Sequence, residues 1–357
     1  MTALFCLFAI LLLCSLRVQR KKNGFSSDYM SIESTNVIKG VFIVIIFFSH
    51  LSGYIEVTSN SDIEFYKLIA DVNQKTVTPF LFFSGYGVME SVKRKGISYI
   101  KNFPQKRFLR VFVEFDIAVI IFTITRILLD FGKKSPIGAK QFFLSLIAWQ
   151  SVGNSNWYIF AILSAYLLTF ISFGICRCKK YPSVVLNTVL MIVYIYIFKY
   201  YNITEPHWYN TMICYVFGMW YSVLKDKIDK LVMKDAVWYP VTLIFIGLCI
   251  WSFYFYRKYF LLYEISLFLF IISIVLFSMK VNVRSKIYAW FGKHLFPMYI
   301  FQRLPMMVLQ RIGLAQKNEY LFFICSFLIT VLISAGFSKL TGRLWSFKIK
   351  KRKVKSL

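Results

Sequence analysis

Residues 36–54 read NVIKGVFIVIIFFSHLSGY, and this stretch decides the fold. Its centre, residues 41–48, carries no polar side chain and stands between Lys39 and His50. A helix that crosses the hydrocarbon core of a bilayer needs about 20 mostly apolar residues. Thr2–Leu16, Thr76–Glu90, Val111–Leu129, Asn156–Ile175 and Ser183–Phe198 have similar character, as do Tyr209–Leu224, Ala236–Tyr256, Tyr259–Met279, Ile287–Leu309 and Tyr320–Ser338. Gln141–Gln150 is too short to cross and reads as an interfacial or re-entrant piece.

The composition agrees. Of 357 residues, 58% are hydrophobic and 19% aromatic, above the usual range for a soluble domain. These values exclude a soluble enzyme, a disulfide-rich secreted scaffold and a disordered chain. The expected fold is an all-α polytopic membrane bundle of 10–11 transmembrane helices. The seven cysteines are an odd number, lie mostly in apolar runs and lack a matching Cys/His pair, so they read as reduced and structural.

A net charge of +27 in a soluble chain would point to nucleic acid. Here the charge follows topology. Of 43 Lys and Arg, 29 fall in one set of alternate loops and in the end of the chain, and 10 fall in the opposite set. The positive-inside rule places the richer set in the cytoplasm, together with the basic tail 341–357. No nucleic-acid partner is expected. Residues 1–17 lack a basic segment before their apolar run, so they read as an N-terminal transmembrane helix rather than a cleaved signal. Residues 30–340 form the membrane domain. The sequence shows no internal repeat, glycine-rich phosphate loop or appended soluble domain, so any chemistry belongs to the bundle and its edges.

Polar residues inside spans are expensive and are functional candidates. Lys39 and His50 are eleven residues apart, so they project from one helix face, about 16 Å apart along the axis. The plainer alternative for His50 is an interfacial histidine bonded to a neighbouring helix. Arg107 and Arg110, three residues apart, are expected to share a face and suit phosphate. Their alternative is topogenic charge with snorkelling side chains. Pro79 and Gly85, in the run from Thr78 to Tyr86, are expected to loosen a helix and allow close backbone approach. In the run from Gly292 to Pro305, Gln302 lies about 22 Å from the cytoplasmic end of its span and His50 about 21 Å from the end of its own. An imidazole and an amide from different helices therefore reach the same depth.

In this order and placement, the clusters resemble acyltransferase family 3, the integral membrane O-acyltransferases. Lys39 and His50 resemble the family's basic-residue-x10-His signature. Arg107 and Arg110 resemble its arginine motif, Ser84-Gly85-Tyr86 its SGY turn, and Asn156-Trp157-Tyr158 with Tyr166 the start of a later span. Gly292 to Tyr299 resembles its late Gly-Lys motif, and the run around Gln302 resembles a subgroup acting on surface polysaccharides. Asn36 stands where the family usually has Asp, and Gln302 where many members have a second His.

The resemblance implies a ten-span core preceded by an extra N-terminal helix. It implies an acyl-CoA-dependent O-acetyltransferase of the bacterial cytoplasmic membrane, with its C-terminus in the cytoplasm. Acetyl-CoA is then a co-substrate, no cofactor is permanently bound, and no metal is required. The acceptor is a hydroxyl of an extracytoplasmic glycan or of its lipid-linked precursor. Lys39, Arg107, Arg110, Ser84 and Tyr86 would bind the donor. His50 would be the catalytic general base or a transient acyl carrier, and Trp157, Tyr299 and Gln302 would contact the acceptor or support the site. The rival readings are a transporter or flippase for a lipid-linked sugar and a non-catalytic assembly factor. Transporters often carry paired broken segments in two halves, and no such symmetry is visible here.

Overall fold

The computed structural model describes residues 1–56, 60–72, 74–130, 137–255 and 259–355. The chain begins with α1 (Thr2–Ser15), strand β1 (Leu16–Val18), α2 (Ile32–Leu51) and α3 (Asn60–Val72). Next come α4 (Thr78–Lys95), α5 (Ile97–Lys101), α6 (Leu109–Leu129), α7 (Ala139–Leu146) and α8 (Trp157–Ile175). The second half holds α9 (Lys180–Tyr200), α10 (Ile213–Val232), α11 (Asp235–Phe255), α12 (Phe260–Lys280) and strand β2 (Val281–Val283). It ends with α13 (Lys286–Lys293), α14 (Leu295–Phe301), α15 (Arg303–Arg311), α16 (Leu314–Lys317) and α17 (Glu319–Lys355).

The protein is an all-α multi-pass membrane protein. Among the described residues, six helices are long and apolar enough to cross a bilayer: Ile32–Tyr54, Trp157–Ile175, Lys180–Tyr200, Asp235–Phe253, Phe260–Lys280 and Glu319–Ser346. The other expected spans are also helical but are shorter, more charged or interrupted. Ile287–Leu309 is the interrupted one, and its two breaks have covalent causes. Pro297 and Pro305 lack a backbone N–H, and their rings crowd the carbonyls four residues earlier, so the path breaks at His294 and again at Gln302. Pro79 acts differently, since it sits in the first turn of α4, where its missing N–H costs nothing. The expected end at Tyr256 and the loop 257–258 lie outside the described residues. The short run 141–150 becomes α7 and a turn.

Two helix pairs approach to backbone contact. A Cβ on Gly40 of α2 would lie 1.8 Å from the Tyr288 carbonyl oxygen, and one on Gly292 would lie 1.7 Å from that of Asn36. The same reciprocal pattern joins α4 to α10: Gly85 meets Tyr215 and Gly218 meets Phe82, each at 1.9 Å. Such contacts matter most in a membrane, where lipid removes the hydrophobic drive between helices and close packing takes its place. The C-terminal part of α2 is held by aromatic rings. Phe47 and Phe48 pack on Phe323 and Phe327 of α17, and Phe48 packs on Phe5 of α1 and Phe65 of α3.

The only sheet among the described residues is a two-stranded antiparallel ribbon, with Leu16 opposite Val283 and Val18 opposite Val281. It ties α1 to the end of α12. All seven cysteines are free.

Candidate active site

The site is built on α2. Its start is fixed by Ser31, whose hydroxyl accepts from the Ser34 N–H at 3.1 Å. Near that end stands Lys39, half-buried and close enough to Arg107 for the two charges to repel. Arg107 Nε donates to the Tyr99 hydroxyl at 3.1 Å, with the phenols of Tyr166 and Tyr215 also facing it. Tyr166 shares a hydrogen bond with Ser84 at 3.1 Å. Among the described residues, no carboxylate pairs with Lys39 or Arg107. Two cations held together without an acid form a ready-made anion site.

Arg107 and Arg110 do not share a face. Pro104–Phe108 is a π-helical turn, closed by the Leu109 N–H on the Pro104 carbonyl. A turn closed by i→i+5 bonds is wider than an α-turn, so residues three apart no longer stack. Arg107 therefore turns inward. Arg110 is exposed, with its Nε 2.9 Å from Glu114 Oε1, an oxygen that also accepts from Trp345 Nε1 at 3.0 Å.

About three turns further along α2, His50 enters a second cluster. Its ring lies 6.1 Å, centroid to centroid, from Tyr299 of α14, and Tyr299 lies 5.1 Å from Tyr158 of α8. His50 Nδ1 is shielded from solvent and has no hydrogen-bond partner, while the buried Tyr299 hydroxyl lies within reach of the Ser155 side chain. Buried polar atoms left unpaired are costly, and they mark a place where a ligand completes the bonding. Gln302, fully buried, donates from Nε2 to the Tyr299 carbonyl at 3.2 Å. Its amide thus steadies the break between α14 and α15 and leaves His50 free. Arg303 follows directly, with its guanidinium carbon 6.0 Å from the Tyr54 ring centroid.

Tyr158 of α8 is within electrostatic reach of both Tyr299 and Tyr166, so it stands between the two clusters.

Of two further expected site residues, Trp157 borders the second cluster, 6.1 Å from Tyr158, and Tyr86 stands apart. Trp157 packs on His207 at 5.3 Å. Tyr86 packs 6.3 Å from Tyr221 and faces Glu90, Asp226 and Asp229. Sequence reasoning passed over Tyr54, Tyr99, Ser155 and Tyr215, and assigned no role to Arg303. Only Arg303 carried a readable signal, as a charge inside an apolar span. The tyrosines are lost among the 23 in the chain.

A groove of about 1150 Å³ lies elsewhere, between α1, α2, α11 and α12, and neither His50 nor Lys39 lines it. A smaller cleft of about 420 Å³ lies at the far end of α15, where Arg126, Asp130, Gln310, Arg311 and Gln316 present polar groups. Among the described residues, no group of His, Cys, Asp and Glu is arranged to hold a metal.

Neither a curated protein nor a solved structure matches the chain. A family model described as an acyltransferase domain matches residues 32–339, from the start of α2 almost to the end of the membrane helix in α17. The matched region holds both clusters, and the chain belongs to acyltransferase family 3.

Proposed function

We propose that the protein is an O-acetyltransferase of a bacterial cytoplasmic membrane. It takes an acetyl group from acetyl-CoA on the cytoplasmic side and delivers it to a hydroxyl of an extracytoplasmic glycan or its lipid-linked precursor. The observation that carries this reading is the pairing of two unlike clusters along one face of α2. At one end Lys39 and Arg107 offer charge without a carboxylate. At the other, His50 offers an unpaired ring nitrogen beside Tyr299 in a shielded site.

The spacing fits a long, thin donor. Lys39 and His50 are about 16 Å apart along the helix axis, a distance that an extended pantetheine arm can bridge. Phosphates held by Lys39 and Arg107 would leave the thioester beside His50. There, imidazole accepts the proton of the attacking hydroxyl, or carries the acetyl group itself. The polar cleft beyond α15 supports an approach of the acceptor from the opposite side, since sugars are recognised by amides, carboxylates and guanidinium groups. The C-terminus is then cytoplasmic, as the loop charges require.

The test is direct. Purified protein in lipid vesicles, given radiolabelled acetyl-CoA, should release CoA thiol and form an acetyl ester. A transporter or an assembly factor would leave the thioester intact.

A further inference from the structure

Arg303 has no role so far. It opens α15 beside the buried Gln302, and its Nε is closed to solvent without a hydrogen-bond partner. Its charge is within electrostatic reach of His50, Tyr54 and Tyr299. Among the described residues, no carboxylate pairs with it. The guanidinium shares a hydrogen bond with the Tyr54 side chain, but a buried Nε–H left unpaired costs free energy that a bound anion would offset.

The acid–base chemistry supplies that anion. When His50 takes a proton from the acceptor hydroxyl, an imidazolium arises next to Arg303. Two neighbouring cations are tolerable there only with negative charge between them. The tetrahedral adduct carries such a charge on the former carbonyl oxygen.

We propose that Arg303 is a catalytic residue whose guanidinium donates to the oxyanion of the tetrahedral adduct; the proposal rests on the acetyl-transfer reading. The acceptor oxygen forms a bond to the thioester carbon, and the carbonyl π pair moves onto oxygen, where Arg303 holds it. His50 receives the hydroxyl proton. Collapse restores the carbonyl, breaks the carbon–sulfur bond and expels CoA thiolate, which takes the proton from the His50 imidazolium.

The test uses hydroxylamine, a neutral acceptor that an arginine devoted to an acidic sugar would not sense. Acetohydroxamate formation from acetyl-CoA is followed with the purified full chain, after subtraction of the uncatalysed reaction. Arg303→Gln should lower kcat by about 10²–10³, the usual loss of one oxyanion donor, with KM for acetyl-CoA within about twofold. Arg303→Lys keeps the charge without the fork and should fall between, so it also serves where the Gln variant does not fold. Normal kcat in Arg303→Gln overturns the proposal and makes Arg303 an acceptor-recognition residue. Loss of acetyl-CoA binding with kcat retained also overturns it, in favour of a donor-site role. Failure of the unaltered protein to transfer acetyl to any acceptor strikes the acetyl-transfer reading itself.

Discussion

The His50 and Tyr299 rings lie 6.1 Å apart, on helices separated by nearly 250 positions, and two glycines explain why. Gly40 meets Tyr288 and Gly292 meets Asn36 at backbone contact. From Gly40 to His50 is ten residues, and from Tyr288 to Tyr299 is eleven. Contacts that advance together in this way mean that the two helical paths run in the same direction. The glycine crossing sets the distance between the axes, and the forward run of both paths from it brings imidazole to phenol.

Packing predicts the first outcome. Gly40→Ala and Gly292→Ala place a methyl group where a carbonyl oxygen stands, and overpacking of this kind costs about 1–3 kcal/mol. Both variants should show a lower thermal midpoint in detergent. Gly87→Ala, with nothing within 4 Å of its added Cβ, should not. Tolerance of Ala at Gly292 would mean that the two helices are held by other contacts.

Donor binding separates two arginines that the sequence treats alike. A hydrogen bond to a charged group is worth about 1.5–3 kcal/mol, so Arg107→Ala should weaken acetyl-CoA binding about 10–100-fold. Arg110, exposed and engaged by Glu114, should change binding less than about threefold when replaced by Ala. Isothermal titration on both variants settles the comparison, and equal losses would contradict the division of roles argued here.

His207 predicts a pH effect. Burial against Trp157 lowers its affinity for a proton below the usual histidine range near 6.5, and Glu205, with Oε2 3.3 Å from Nδ1, offsets part of this. The unfolded chain therefore binds the proton more readily than the folded one. The stabilisation is fully present above about pH 6.5 and is lost as pH falls through the lower folded value. An imidazolium quenches neighbouring indole emission, so the fluorescence difference between the unaltered protein and His207→Gln should titrate with a midpoint below 6.5. A midpoint at or above that value would mean that the ring is not buried as described.

Much of the architecture could be read from residue patterns because membrane helices announce themselves by long apolar runs. The face shared by Lys39 and His50 also followed from helix geometry, since α2 runs unbroken from Ile32 to Leu51. What could not be read has specific causes. The π-helical turn at Pro104–Phe108 rotates Arg107 away from Arg110, and nothing in that run marks an i→i+5 turn. The breaks at His294 and Gln302 follow from Pro297 and Pro305, which a count of apolar residues passes over. Those breaks bring Tyr299 and Arg303 to the His50 cluster and turn Gln302 onto its own backbone.

The central claim rests on His50, and the most direct measurement is acetyl transfer by His50→Gln beside acetyl-CoA binding by the same preparation. An amide keeps hydrogen bonding but can neither take the hydroxyl proton nor carry an acetyl group. Loss of general-base help typically costs about 10²–10⁴-fold in rate, so turnover should fall by at least that order. Binding should be retained, because Lys39 stands about 16 Å away along α2, with Arg107 in its electrostatic reach. Near-normal turnover in His50→Gln would contradict the account and leave His50 a structural residue.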